Sequence, residues 1–460
     1  MVNINDYIGK TAHFIGIGGS SMHGLAELLK SRGVIVKGSD RDESYMTKKL
    51  EGMGIPVVIG HYAQNVHGAD VVIYTAAVSP DNVERMEAKR LGIPSMERCD
   101  LLGQLSNAYS KSVAVSGTHG KTTVTSMLAQ IMMDANMDPN IHIGGMLDAI
   151  GGSVRTGKAD LFVTEACEFN RSFLTLKPTV EIILNIDADH LDCYKDIDEI
   201  QDTFLEFTQK LPKDGLIIGC GDDERVMQVM KDSQRAFISY GFSENCDYTA
   251  VNAVIDDEAC WSYDIIKNGE KITHVKLSVP GKHNVLNSLS AFICCTYMGA
   301  DIDSVVSSMA NFKFPHRRFE LTGIKDGVKL YHDYGHNPSE YKTVVSIASQ
   351  LKKQNRLYVV CQPHTYSRVK ALLSDFGPSF EGADEVLVTD IYAARERDPG
   401  DINSLMLIDK MQGFGYKTVY CPGFTECDKY LRDNWKDGDI VLTVGCGNIN
   451  LLNDILIKDK

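Results

Sequence analysis

No apolar run in the chain approaches the roughly 20 residues that cross a bilayer. Its start, Met1-Val2-Asn3-Ile4-Asn5-Asp6, carries neither the basic nor the apolar region of a secretion signal. Positive charge is scarce: 47 Lys and Arg stand against 61 Asp and Glu, a net −14. That balance argues against a nucleic-acid partner, because phosphate backbones are held by basic surfaces. The 12 cysteines form no Cys-x-x-Cys pair. Cys294 and Cys295 fall in an apolar helical pattern and Cys361 ends a strand, so the thiols read as buried, reduced, small hydrophobes rather than metal ligands or disulfides. Internal repeats and low-complexity segments are absent too. The expectation is a soluble, cytoplasmic protein with no membrane and no nucleic-acid partner. The 460 residues, 43% of them apolar, suffice for three packed cores at roughly 150 residues per domain.

The chain is organised around Val113-Ala114-Val115-Ser116-Gly117-Thr118-His119-Gly120-Lys121-Thr122-Thr123. A β-branched run breaks into a glycine-flanked loop, and a helical pattern follows from Thr123 to about Met133. In that context backbone N–H groups converge on a phosphate, and the helix N-terminus adds partial positive charge. Lys121 then reaches the terminal phosphates and the Thr122 hydroxyl ligates Mg²⁺. Val115 stands where the longer loop carries its first glycine, so this is a shortened variant.

Upstream, a strand at 11–17 runs into Gly16-Ile17-Gly18-Gly19-Ser20-Ser21-Met22, a helix reaches about Lys30, and a strand at 34–36 leads to Gly38-Ser39-Asp40. This is a βαβ unit with an acidic residue about 20 positions past the glycines, as in dinucleotide sites. Ser21 occupies the place of the third glycine, which weakens an NAD reading and leaves a phosphate-bearing nucleotide. Strands at 57–59 and 71–74 follow, the second opening into Thr75-Ala76.

Past the phosphate loop, a strand ends on Glu165-Ala166-Cys167-Glu168 and another on Asn185 and Asp187-Ala188-Asp189-His190. Open α/β sheets bind ligands beyond the carboxyl ends of their strands, so Glu165, Asn185, Asp189 and His190 gather around Lys121. Thr122 and Glu165 offer the hard oxygens Mg²⁺ prefers; His190 suits a second metal or an orienting hydrogen bond. From Cys220 to Val279 the pattern is strand-like and irregular. His283, Asn284 and Asn287 then open an apolar helix, equally suited to capping it or to reading a base. Arg317 and Arg318 sit at the hinge into a third region of alternating strands and helices. Its strands deliver Asp333 and His336, Gln362 and His364, Asp390 and Arg395, and Asn448 to the binding edge of a parallel sheet.

Taken in order and spacing, these motifs resemble the Mur ligases of peptidoglycan synthesis over essentially the whole chain. The carrying stretches are Gly16 to Met22, Gly117 to Thr123, Asn185 to Asp192, Gly281 to Asn287, Arg317-Arg318-Phe319, Asp333 to Pro338, Gln362-Pro363-His364 and Asp390 to Arg395. The resemblance implies an α/β protein of three domains: a Rossmann-like domain over residues 1–106 for the UDP-sugar, a central P-loop ATPase-type domain over 107–316, and a Rossmann-like α/β domain over 317–460 that closes over ATP and amino acid. It implies a UDP-sugar site of Gly16, Gly18, Gly19, Ser20, Ser21, Met22, Asp40, Thr75 and Ala76. ATP would be held by Gly117, Thr118, His119, Gly120, Lys121, Thr122, Thr123, His283, Asn284, Asn287, Arg318 and Asp333. Thr122, Glu165 and His190 would hold two Mg²⁺ ions. Lys121, His190, His336, His364 and Arg368 would carry the chemistry, in which ATP activates the lactyl carboxylate of UDP-N-acetylmuramate and an amine attacks.

Within the family, the glycine loop and the lack of any lysine between Lys195 and Lys210 fit the branch that adds L-alanine. Relatives often carry Arg in place of Thr365, two acidic residues in place of His332-Asp333, and Glu-Ala-Asp-Glu-Ser in place of residues 165–169. Loss of that Arg removes a carboxylate clamp and leaves Arg368 to serve. The competing readings are a recycling ligase that attaches a whole tripeptide, an NAD-dependent dehydrogenase, and a nucleotide-binding regulator without catalysis. A monomer or a homodimer is expected.

Overall fold

The computed structural model describes residues 2–19, 21–188, 193–394 and 396–458. Three sheets carry the chain. The first contains β1 (Thr11–Ile15), β2 (Ile35–Asp40), β3 (Val57–Ile59), β4 (Val71–Tyr74) and β5 (Ser95–Glu97), in the order β3-β2-β1-β4-β5. All its neighbours are parallel. The strand order reverses between β1 and β4, which opens a crevice beside Gly16 and Thr75.

The second sheet contains β6 (Lys111–Ser116), β7 (Asn140–Leu147), β8 (Gly152–Arg155), β9 (Leu161–Glu165), β10 (Val180–Ile183), β11 (Leu216–Cys220), β12 (Ala236–Gly241), β13 (Tyr248–Ile255), β14 (Cys260–Lys267) and β15 (Glu270–Pro280). Their order is β15-β14-β13-β12-β11-β10-β6-β9-β7-β8. The stretch that reads as irregular thus supplies four neighbouring strands, β12 to β15. It also holds a helix, Glu224–Asp232, whose first N–H groups are capped by Asp223. The helix after the phosphate loop, Lys121–Asp134, starts two residues earlier than expected because Gly120 turns left-handed at φ 87° and ends the loop there.

The third sheet contains β16 (Glu320–Lys325), β17 (Val328–Asp333), β18 (Leu357–Cys361), β19 (Glu385–Val388), β20 (Thr418–Tyr420) and β21 (Ile440–Val444), in the order β16-β17-β21-β18-β19-β20. The expectation of an all-parallel sheet is corrected at one edge: β16 runs antiparallel to β17. The cause is local. Asp326 and Gly327 both have positive φ, 51° and 76°, and Asp-Gly in that conformation closes a two-residue hairpin.

These sheets pack as two compact units, Met1–Val254 with Ser262–Ser278 and Lys282–Lys313, and Phe314–Lys460 with Ile255–Trp261 and Val279–Gly281. In the first unit one hydrophobic core runs without a break from Phe14 and Leu25, through Leu101 and Leu105, to Phe162, Phe173 and Met230. The helix Arg98–Ser106 makes the join. Gly103 lies so close to the Thr175 carbonyl that a Cβ there would approach it to 2.6 Å. Among the described residues no helix is long and apolar enough to cross a membrane.

Candidate active site

In the first sheet the loop after β1 turns at Gly16, φ 78°, and is held from below by Asp40, whose Oδ2 accepts from the Gly18 N–H at 2.8 Å. A side chain at Gly18 would collide with Thr47. Thr75 comes from β4 to the other side of Gly16, and Ala76 is exposed beside it. The helix Met22–Ser31 points its N-terminus at this loop. Met22 itself is turned into the core and its N–H is given to the Gly19 carbonyl, so its part is packing. Ser20 lies outside the described residues. Arg98, which sequence reasoning overlooked, reaches the loop from the start of its helix, with Nη1 donating to Ser21 Oγ at 3.2 Å.

The phosphate loop joins β6 to the helix Lys121–Asp134. Gly117 has φ 132°, and a Cβ there would meet Leu184 at 2.9 Å, so only glycine fits. The end of β10 braces the loop. Asn185 accepts from the His119 N–H at 2.8 Å and donates back to the His119 carbonyl at 3.1 Å, while Thr118 exchanges hydrogen bonds with the Asp187 backbone. Asn185 therefore stands where the sequence placed it. Asp189 and His190 lie outside the described residues.

Lys121 donates to the Gly117 and Thr118 carbonyls and pairs with the buried Glu168 at 2.9 Å. Burial is the largest influence and works against its charge, but Glu168, Cys167 and Glu165 together outweigh it and raise its pKa. Glu168 is a partner that sequence reasoning missed. Only its place three residues beyond Glu165, at a strand end, signalled it. Thr122 Oγ1 donates to Glu165 Oε2 at 3.2 Å, and the Gly144 N–H holds Oε1 at 2.6 Å. This hydroxyl–carboxylate pair, aimed at the mouth of the loop, has the donor chemistry of a Mg²⁺ site. Among the described residues no group of three His, Cys, Asp or Glu side chains is arranged to hold a metal. On the neighbouring helix His283–Tyr297, the cap is Lys282 rather than His283. Asn287 donates to Asn284 at 2.9 Å and lies against Gly120, which brings the two amides to the loop, with His283 exposed beside them.

The second unit assembles a separate set. Arg317 and Arg318 lie over the ring of Tyr334, at 4.7 and 5.6 Å. Asp333 accepts from the Phe319 and Gly335 N–H groups at 2.8 and 2.7 Å; burial pushes its pKa up to about 6 against the pull of Arg318. His332, beside it, accepts from Arg317 Nε at 3.2 Å, and burial with that guanidinium lowers it to about 3. His336 and His364 face each other with ring centres 6.3 Å apart. They differ in their neighbours. Glu340 lies 3.4 Å from His336 Nδ1, whereas Arg368 donates to His364 Nδ1 at 3.2 Å. His364 also stacks on Tyr392.

A shortened phosphate loop opening a helix, with a hydroxyl–carboxylate pair one strand away, defines a P-loop-type nucleotide-binding α/β protein. Three family models divide the chain among them: the Mur ligase family catalytic domain over residues 11–110, the Mur ligase middle domain over 115–295, and the Mur ligase glutamate ligase domain over 317–447. The chain belongs to the Mur ligase family, which sets the dehydrogenase reading aside. It is 44% identical over 452 residues to the UDP-N-acetylmuramate–L-alanine ligase of Acetivibrio thermocellus, spanning 98% of this chain and 96% of that one. It is 45% identical over 451 residues to the enzyme of the same name from Clostridium botulinum, spanning 98% of both. The crystal structure of the UDP-N-acetylmuramate–alanine ligase of Thermotoga maritima superposes with a TM-score of 0.85 at 27% identity, over 97% of this chain and 98% of that one.

Proposed function

We propose that the chain joins L-alanine to the lactyl carboxylate of UDP-N-acetylmuramate, with ATP converted to ADP and phosphate, as a step in making peptidoglycan precursors. The full-length likeness to ligases of that name supports the substrates. The geometry of Lys121, Thr122 and Glu165 at the phosphate loop supports the chemistry, and it is the observation that carries the reading. In this reading residues 1–106 hold the sugar nucleotide through Gly16, Gly18, Gly19, Ser20, Ser21, Met22, Asp40, Thr75 and Ala76, residues 107–316 hold ATP, and residues 317–460 bring the amino acid.

A carboxylate is a poor electrophile, since its acyl carbon cannot expel oxide. Transfer of the γ-phosphoryl group to a carboxylate oxygen breaks the bond to ADP and creates an acyl phosphate. The alanine amine then attacks the acyl carbon, and phosphate departs with the C–O bonding pair. The loop N–H groups and Lys121 position the phosphates and offset their charge. Thr122 and Glu165 would hold Mg²⁺, and His190 would serve a second ion, which would supply further charge neutralisation. His283, Asn284 and Asn287 receive the adenine, and Arg318 and Asp333 receive phosphate and ribose. His336, with Glu340 3.4 Å from its Nδ1, takes the ammonium proton, whereas Nδ1 of His364 is already occupied by the Arg368 guanidinium. Arg368 stands ready for the amino-acid carboxylate.

Phosphate release from ATP and UDP-N-acetylmuramate, measured with L-alanine, glycine, L-serine or the tripeptide, tests the reading. L-Alanine is expected to give the fastest release; tripeptide-driven release without L-alanine-driven release overturns the assignment. Lys121→Ala is expected to lower turnover at least about 1,000-fold, on the scale of losing a main charge-stabilising contact.

A further inference from the structure

Two serine–histidine pairs tie the glycine loop of the first sheet to the far edge of the second. His23 Nδ1 donates to the Gly19 carbonyl at 2.9 Å, and its Nε2 accepts from Ser153 Oγ at 2.9 Å. Between the pairs, Gly24 seats the helix on β8 where a Cβ would come within 2.7 Å of Val154. The other pair lies inside a longer line. Arg98 Nη1 donates to Ser21 Oγ at 3.2 Å, Ser21 Oγ meets His142 Nε2 at 3.0 Å, His142 Nδ1 meets Thr164 Oγ1 at 3.3 Å, and Thr164 Oγ1 donates to the Glu165 carbonyl at 3.1 Å.

The polarity of this line is determined at its Glu165 end. Arg98 can only donate, so Ser21 accepts from it and keeps a second lone pair and its proton, which leaves the direction of the Ser21–His142 contact to be set from the other side. The Glu165 carbonyl can only accept, so Thr164 spends its proton there and its oxygen on His142 Nδ1–H. One neutral tautomer, protonated at Nδ1, satisfies every member. His142 is buried, and burial together with Arg98 depresses its pKa to about 3, consistent with a neutral ring. Hydrogen bonds in such a directed series polarise one another. The line also ends where it matters. His142 pairs in register with Thr164, and two residues further along β7 the Gly144 N–H holds Oε1 of Glu165 itself. Ser21, standing where a dinucleotide fingerprint has glycine, thus brings a hydroxyl that a glycine lacks.

We propose that His142 is a positioning residue that couples the glycine loop to Glu165, so that sugar nucleotide at the loop and a divalent cation at Thr122–Glu165 strengthen each other's binding. The proposal rests on the reading of those two sites given above. The coupling is reciprocal by thermodynamic necessity.

The test uses the full chain with Ser21→Ala, at the loop end, and His142→Val, in the middle. In calorimetric titrations of ADP with Mg²⁺ present, UDP-N-acetylmuramate is expected to tighten binding in the parent by roughly fivefold or more, and either variant to bring that factor to near one. An uncoupled parent, or Ser21→Ala with the whole factor retained, overturns the proposal. Urea midpoints recorded alongside separate positioning from folding, because a destabilised His142→Val with intact coupling also overturns it. Nitrogen-15 spectra of the 13 histidines, assigned through His142→Gln, are expected to show the His142 proton on Nδ1; a proton on Nε2 breaks the line. Failure of the functional reading is distinguishable, since then neither ADP nor UDP-N-acetylmuramate gives a binding heat.

Discussion

Lys121 is already saturated with oxygen acceptors: two loop carbonyls and the Glu168 carboxylate. An arriving phosphate therefore exchanges with Glu168 rather than entering an open field. The pair is buried on both sides, with Lys121 14% and Glu168 3% exposed, so removing one member strands the other's charge. Glu168→Gln is expected to lower the urea-unfolding free energy of the first unit by about 3 kcal/mol, and Mg²⁺-ADP to restore part of it. In the second unit, His332 and Asp333 are adjacent groups shifted in opposite directions. Asp333, raised to about 6, binds a proton more tightly folded than unfolded, so it lowers stability as pH rises from about 4 to about 6. His332, lowered to about 3, is protonated first in the unfolded chain, so it raises stability over the same interval. Asp333→Asn is expected to remove the falling contribution, about 3 kcal/mol from a shift of roughly two pKa units. Urea midpoints between pH 4 and 7 would then climb more steeply than in the parent. An unchanged slope contradicts the assignment.

At the scale of elements, much of the site was legible because it depends on short-range signals. Gly117, Gly120, Lys121 and Thr122 lie within one loop, and strand ends such as Glu165 and Asn185 follow from β-branched runs. The rest depends on pairings between segments far apart in the chain. Lys121–Glu168, Ser21–His142 and the approach of Arg98 leave no periodic trace. The strand character of β12 to β15 was legible but not their order in the sheet, which depends on pairings between segments, and the antiparallel β16 went unread although Asp326-Gly327 signals its hairpin. Thr365 is another element-level feature. The helix Tyr366–Ala371 starts from it at φ 59° and ψ 138°, a conformation that a β-branched residue adopts only under strain. Its N–H is held by the Tyr392 carbonyl, which fixes His364 against Tyr392 and toward Arg368. Thr365→Gly is expected to stabilise the second unit by about 1 kcal/mol, read from urea midpoints, while raising the KM for L-alanine as His364 and Arg368 loosen.

For the whole molecule, three sheets in two compact units predict two cooperative unfolding steps rather than three. Gly103→Val places side-chain atoms against the Thr175 carbonyl. It is expected to cost the first unit about 2 kcal/mol through overpacking and to leave the other transition where it was. Calorimetry that shows both transitions moving, or neither, contradicts this division. The unbroken core of the first unit also governs how the chain is made. A nascent chain that has left the ribosome only as far as Ser106 still lacks Phe162, Phe173, Phe204 and Met230 to cover Leu101 and Leu105. Stable burial must wait until about residue 230 has emerged, so during synthesis that half-finished apolar face belongs to chaperones.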